Sequence, residues 1–199
     1  MPNATGQTAE TDTLRYGMTL CGVLAPLVAF TAILVAAWIH SDWFTWTGHA
    51  LSDLGHVDRE FFWVFNLGLL VTGTLGVVFS LRLLDYLDST VSRIGAGLFL
   101  LGIFCLGLVG AFPLGVDYHS LVTFAFFTLC TLGVFVVGLG ESWRGEPLGY
   151  GWLALVVAGV GLVILTLRWF DGAAIPELVG TVAYAIFAVG YAGHIRGRW

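Results

Sequence analysis

Six stretches of nearly uninterrupted apolar residues divide the chain, separated by polar or Gly/Pro-marked breaks. The runs are Tyr16–Ile39, Phe61–Leu84, Ile94–Phe112, Leu121–Gly140, Gly149–Leu167 and Leu178–Tyr191. A helix needs about 20 such residues to cross the roughly 30 Å of bilayer hydrocarbon. Only helices and closed barrels satisfy their backbone hydrogen bonds in lipid, and these runs lack the in–out alternation of barrel strands. The pattern predicts an all-α fold, a polytopic transmembrane bundle of six helices. The last run is the weakest, being shorter and interrupted by Tyr184 and Tyr191.

The breaks set the domain plan. Residues 1–15 are polar with Arg15 the one basic residue, which predicts a short disordered cytoplasmic tail without the basic start of a signal peptide. Residues 16–196 then form a single six-helix transmembrane domain, with residues 40–60 as its outer interfacial loop. No internal repeat is visible.

Arginine placement gives the chain a direction. With the N-terminus inside, the inner segments hold Arg15, Arg82, Arg93, Arg144, Arg196 and Arg198, and the outer ones hold Arg59 and Arg168. Basic residues concentrate on the cytoplasmic side, so both termini are expected there, in a cell membrane. Trp38, Trp43, Trp46, Trp63 and Trp169 then form an outer aromatic belt.

Composition sharpens this. Of 199 residues 58% are hydrophobic and 11% charged, against about 25% charged in soluble domains, and the mean hydropathy is +0.90. One core of this size cannot hide so much apolar surface. The eight basic residues are all Arg, against thirteen acids, a balance found in salt-adapted proteins and opposed to nucleic-acid binding, which needs a basic face. Cys21, Cys105 and Cys130 lie within apolar runs and read as buried small hydrophobes.

Candidate chemistry falls on the outer side. His40, His49, His56 and His119 lie there with Asp42, Asp53, Asp58, Glu60, Asp117, Asp171 and Glu177. On a helix, His49, Asp53 and His56 share one face with Ser52 beside them, a set that can ligate a divalent metal such as zinc, although Gly55 can end that helix. Alternatively the segment is an interfacial amphipathic stretch. Pro113 and Gly115 turn the chain, Asp117 can cap the fourth helix, and His119 sits in its first turn as a metal ligand or general base. Ser52, Asp53 and His119 have the parts of a nucleophile system. Asn66, about two turns inside the second helix, needs a partner across helices or forms the floor of an outer pocket. Glu177 starts the sixth helix, where a carboxylate favours the dipole. P-loop, Rossmann and HExxH signatures are absent, and no histidine lies at the membrane depth a bis-histidine haem requires.

The run Ala50-Leu51-Ser52-Asp53-Leu54-Gly55, then Phe65-Asn66-x-Gly68-Leu69, then Gly110-x-Phe112-Pro113 and His119, resembles the family called domain of unknown function 998 over nearly the full chain. The resemblance implies a bacterial or archaeal protein with about six membrane helices. It picks out Ser52, Asp53, Asn66 and His119 and implies no established activity. Ser52-Asp53-Leu54-Gly55-His56 also resembles the Ser-x-x-x-His motif of the CREST membrane hydrolases, which would imply a zinc site. The chain departs from that group in having six helices rather than seven and no His-x-x-x-His in the last.

Three functions are therefore open. The first is a hydrolase or transferase acting on a membrane lipid, with Ser52, Asp53 and His119 catalytic, Asn66 and Asp117 binding, and His49, Asp53, His56 and His119 around a metal. The second is a non-enzymatic lipid- or small-solute-binding membrane protein or transporter. The third is an assembly partner of a membrane complex, packed through Gly-rich helices such as Gly95-x-Gly97 and Gly102-x-x-x-x-Gly107.

Overall fold

The computed structural model describes residues 4–197, with side chains from Asp12 onward. Six helices follow in order: α1 (Ala4–Ile39), α2 (Phe62–Tyr86), α3 (Thr90–Ala111), α4 (His119–Trp143), α5 (Pro147–Trp169) and α6 (Ala174–Arg196). A 3₁₀ turn, Leu51–Gly55, lies between α1 and α2. Among the described residues, six helices are long and apolar enough to cross a membrane. The protein is a multi-pass membrane protein, an all-α bundle of six spans.

All six helices run longer than their apolar runs, α1 and α6 by the most. α1 begins at Ala4, so residues 4–15 continue the helix where the sequence predicts a disordered tail. Residues 4–15 contain no proline and a single glycine, and a formed span lets a helix propagate at little cost. Residues 1–3 of that tail and Arg198 lie outside the described residues. α6 has 23 residues, as many as α5. Tyr184 and Tyr191 do not interrupt it, because both point into the bundle and are buried.

Successive helices pack side by side, and α6 returns against α1 to close the ring. Lipid supplies little hydrophobic force between helices, so close contact depends on small residues. At the α2–α3 crossing a Cβ on Gly73 would lie 2.5 Å from the Gly107 Cα. At α3–α4 a Cβ on Gly95 would meet the Val137 nitrogen at 2.5 Å. Gly95, Gly102 and Gly107 are thus used inside the chain, whereas Gly97 has open space beside it.

The two ends differ in chemistry. At the end holding the described ends of the chain, Asp85 pairs with Arg82 at 3.0 Å and Arg15 at 3.3 Å. Arg144 approaches Asp88 at 3.7 Å, and the Ser92 hydroxyl donates to Glu141 at 2.6 Å. The opposite end carries residues 40–60 and the turns after α3 and α5, and is called the loop end below.

One helix stands apart. α5 buries only Gly149, Trp152 and Thr166, with nothing buried from 153 to 165. It is anchored where Trp152 stacks on Tyr191 (5.3 Å between ring centroids) and meets Phe187 edge-on. Between its anchors it stands off α4 and α6. That gap forms a cavity.

Candidate functional site

The loop end is assembled from backbone contacts between segments distant in sequence. Gly172 donates to the Thr47 carbonyl and Ala174 to that of His49, both at 2.8 Å. Val57 donates to Leu114 at 3.0 Å. Asn66, buried on α2, donates to the Gly55 carbonyl at 2.8 Å and the Phe62 carbonyl at 3.0 Å. The partner that a buried amide requires is thus the end of the 3₁₀ turn rather than another membrane helix.

The start of the same turn is held by two carboxylates. Asp53 accepts from the Ala50 N–H at 2.8 Å, closing its own turn. Glu177, in the first turn of α6, accepts from the Leu51 N–H at 2.7 Å. Glu177 therefore caps the 3₁₀ turn across 126 residues of sequence, in addition to sitting at the favourable end of its own helix dipole. Charge-assisted bonds of this kind contribute about 1.5–3 kcal/mol.

The four predicted ligand residues go to different places. His49 precedes the 3₁₀ turn and folds back, its Nδ1 accepting from the Thr45 N–H at 3.2 Å and its ring against Trp43 and Phe44. His56 follows the turn and meets Asp58, whose N–H donates to its Nδ1 at 3.2 Å. His119 is buried on α4 and binds the Phe112 carbonyl through Nδ1 at 2.7 Å. His49, Asp53 and His56 do not share a helical face, because only Leu51–Gly55 is helical and the histidines flank it. Among the described residues no three His, Cys, Asp or Glu side chains form a group that could hold a metal ion. Asp117 does not cap α4: Tyr118 occupies that position in a left-handed conformation (φ 70°) with no side-chain cap.

What the fold does bring together is Ser52, His119 and Glu177. All three line the loop end of a cavity of about 510 Å³ between α4, α5 and α6, with Ser120 and Thr123. Asp53, Asn66 and Asp117 do not line it. Below that polar end the walls are apolar: Phe124, Phe127 and Val134 of α4, Leu155, Val160 and Leu167 of α5, Ala183 of α6. The polar groups in the lower wall satisfy each other. Tyr184 donates to the Phe127 carbonyl at 2.9 Å and sits 2.7 Å from the Thr131 hydroxyl.

The Phe112 carbonyl can only accept, so Nδ1 of His119 carries a proton and Nε2 is the ring nitrogen left to accept. Its nearest hydroxyl is Thr123 at 3.4 Å. The Ser-x-x-x-His spacing does not pair its own members: Ser52 faces the cavity, while His56 lies beside Asp58 and Gly115.

The family profile described as Protein of unknown function (DUF998) matches residues 23–194. The chain belongs to that family. The match reaches all six membrane helices and covers all three segments of the loop end, so the cavity and its rim lie within the family's domain. No curated protein and no solved structure matches this family member. Ser120, Thr123 and Glu177 are the lining residues that sequence reasoning passed over or read only as a cap. The one signal for them was helical spacing from His119, which puts Thr123 one turn further along the same face.

Proposed function

We propose that this protein binds a lipid or lipid-like amphiphile in the α4–α5–α6 cavity, its tail along α5 and its head at Ser52, His119 and Glu177. The observation that carries this is the cavity's polarity: one polar end at the loop end of the bundle, continued by apolar walls. The lining spans residues 119–134 of α4 and 155–167 of α5. At 1.5 Å per residue these are about 22 Å and about 18 Å, longer than the roughly 15 Å of hydrocarbon in one leaflet. Membrane lipids are thus the expected partner, and the site is reached from within the bilayer.

The test is native mass spectrometry of protein purified in mild detergent, beside Gly159→Leu. A Cβ at Gly159 lies 3.6 Å from the Ala183 Cβ, so leucine there grows into the cavity without meeting backbone. Wild type should retain an amphiphile that Gly159→Leu loses while keeping its thermal stability. Equal retention by both, or none by wild type, rejects the proposal.

A second reading, hydrolysis or acyl transfer on the bound lipid, is favoured by Ser52 and the His119 acceptor nitrogen sharing the cavity. In it Ser52 is the nucleophile, His119 Nε2 the base and the Phe112 carbonyl the group that orients the ring. Asp53, engaged with Ala50, takes no part. Loss of ester turnover in both Ser52→Ala and His119→Ala supports this; a wild-type rate no faster than that of Ser52→Ala rejects it.

A further inference from the structure

The charged and polar groups at the cavity's head end differ in what they can accept. Glu177 is the one formally charged side chain lining it, and no arginine does. One Glu177 oxygen is engaged by Leu51, and the other meets no protein donor among the described residues. His119 presents an acceptor nitrogen, as its Nδ1 proton is bound to Phe112. Ser52, Ser120 and Thr123 supply hydroxyls that donate or accept. Asp53, next to Ser52 on the 3₁₀ turn, adds a second negative charge on that side. The basic residues nearest in sequence, Arg59 after the 3₁₀ turn and Arg168 at the end of α5, are exposed and lie outside the lining.

The head end is therefore rich in acceptors, with Glu177 its one formally charged side chain. Phosphate and carboxylate groups are held most strongly by arginine or lysine, and neither lines this end. An anionic head would bring like charge beside Glu177 in a poorly solvated place with no counter-ion, an arrangement that burial penalises. A hydroxyl or an ammonium meets the acceptors directly.

We infer that, within the amphiphile-binding reading on which this rests, the site takes head groups that donate hydrogen bonds and carry no negative charge. It turns away phosphate and carboxylate heads of the same chain length. Hydroxyl and amine heads share the chemistry that the lining recognises, and the two are compared directly.

The experiment uses delipidated full-length protein at about pH 9, where Glu177 carries its charge, with four probes sharing one saturated chain: hexadecanol, hexadecylamine, hexadecanoic acid and hexadecyl phosphate. Binding is read by native mass spectrometry, with Gly159→Leu giving the baseline from micelle partitioning. The alcohol, the amine or both should bind at least about tenfold more tightly than the acid and the phosphate, about 1.4 kcal/mol. Glu177→Gln keeps an acceptor oxygen for Leu51 and removes the charge, and should bring the phosphate within about threefold of the alcohol, about 0.7 kcal/mol. Ser120→Arg, at an exposed lining position, should recruit the phosphate and does not depend on how well the Glu177 variant folds. Phosphate or acid bound as tightly as the alcohol by wild type overturns the head-group inference and leaves the cavity reading standing. Binding of none of the four removes both.

Discussion

Asn66 offers the sharpest test of how the loop end is held. Its side chain is 5% exposed and donates two hydrogen bonds, one of them to the carbonyl that ends the 3₁₀ turn. A neutral bond contributes about 0.5–1.5 kcal/mol net, and interhelical bonds measured in membranes average about 0.6 kcal/mol. Asn66→Leu removes both donors and leaves the Gly55 carbonyl facing an apolar group, a penalty of about 1–3 kcal/mol. Leucine's added apolar burial offsets part of that, so the net expectation is about 1–2 kcal/mol. The loss is local, because Phe62 retains its helical partners while Gly55 has no substitute. Hydrogen exchange should therefore quicken roughly tenfold at the amides of residues 53–57, which is what about 1.4 kcal/mol of lost protection produces. Mid-span α3 and α4 should exchange as before. Thr74→Val is the control, since that exposed hydroxyl bonds only to Leu70 in its own helix. Exchange within about twofold of wild type at 53–57, with stability unchanged to about 0.5 kcal/mol, would refute the assignment of Asn66 as the tie between α2 and the turn.

Three more outcomes can be measured. His40 is buried with Nε2 unpartnered, and burial, the largest cause, lowers its pKa from 6.5, helped by Arg59 and opposed by Asp42 and Glu60. The native state thus favours the neutral ring. This stabilisation is complete above pH 6.5 and is lost as pH falls below that value toward the lower native pKa, so thermal stability should decline on acidification with a slope that His40→Gln flattens; an identical slope sinks the idea. Gly73→Ala puts a methyl against the Gly107 backbone and should cost about 1–3 kcal/mol by overpacking, whereas Gly97→Ala, with nothing within 4 Å, should be neutral or stabilise by up to about 1 kcal/mol; equal effects on unfolding would contradict the packing. The arginine bias puts residue 58 outside and residue 88 inside, so in intact cells a membrane-impermeant maleimide should label Asp58→Cys and not Asp88→Cys, with the opposite result reversing the topology.

The architecture was legible because it depends on the medium. Runs such as Tyr16–Ile39 must become spanning helices whatever their tertiary contacts, and apart from the early start of α1 at Ala4 their boundaries fell within about five residues of the helices. α6 was underestimated because tyrosine reads as an interruption by polarity, while Tyr184 and Tyr191 carry their hydroxyls into the bundle. The site was legible by region and not by membership. His119 and Ser52 meet at one cavity because two loops fold over the bundle mouth, and helical spacing reached neither partner. His49, Asp53 and His56 seemed co-facial only on the premise of a regular α-helix, which the short 3₁₀ turn replaces. Glu177 showed the limit most clearly. Its first-turn position explained it fully within α6, and its contact with Leu51 spans 126 residues.

Glu177 also ties the two halves of the loop end into one linked system. Its carboxylate holds the N-terminal end of the 3₁₀ turn and at the same time lines the cavity head. A head group seated there excludes water from the Leu51–Glu177 bond, and openings of the turn that break this bond also disturb the head. Binding only the closed form stabilises it by RT ln(1 + [L]/Kd), about 2.7 kcal/mol at a hundredfold excess over Kd. Amides whose exchange requires that opening, Leu51 first, should then slow by up to about a hundredfold on ligand addition. In Glu177→Ala the turn is uncapped, so its openings no longer need to expel the head, and the slowing at Leu51 should shrink to a few-fold even at saturation. Slowing of equal size in wild type and Glu177→Ala would mean that the cavity and the 3₁₀ turn respond independently, and that Glu177 is a cap alone.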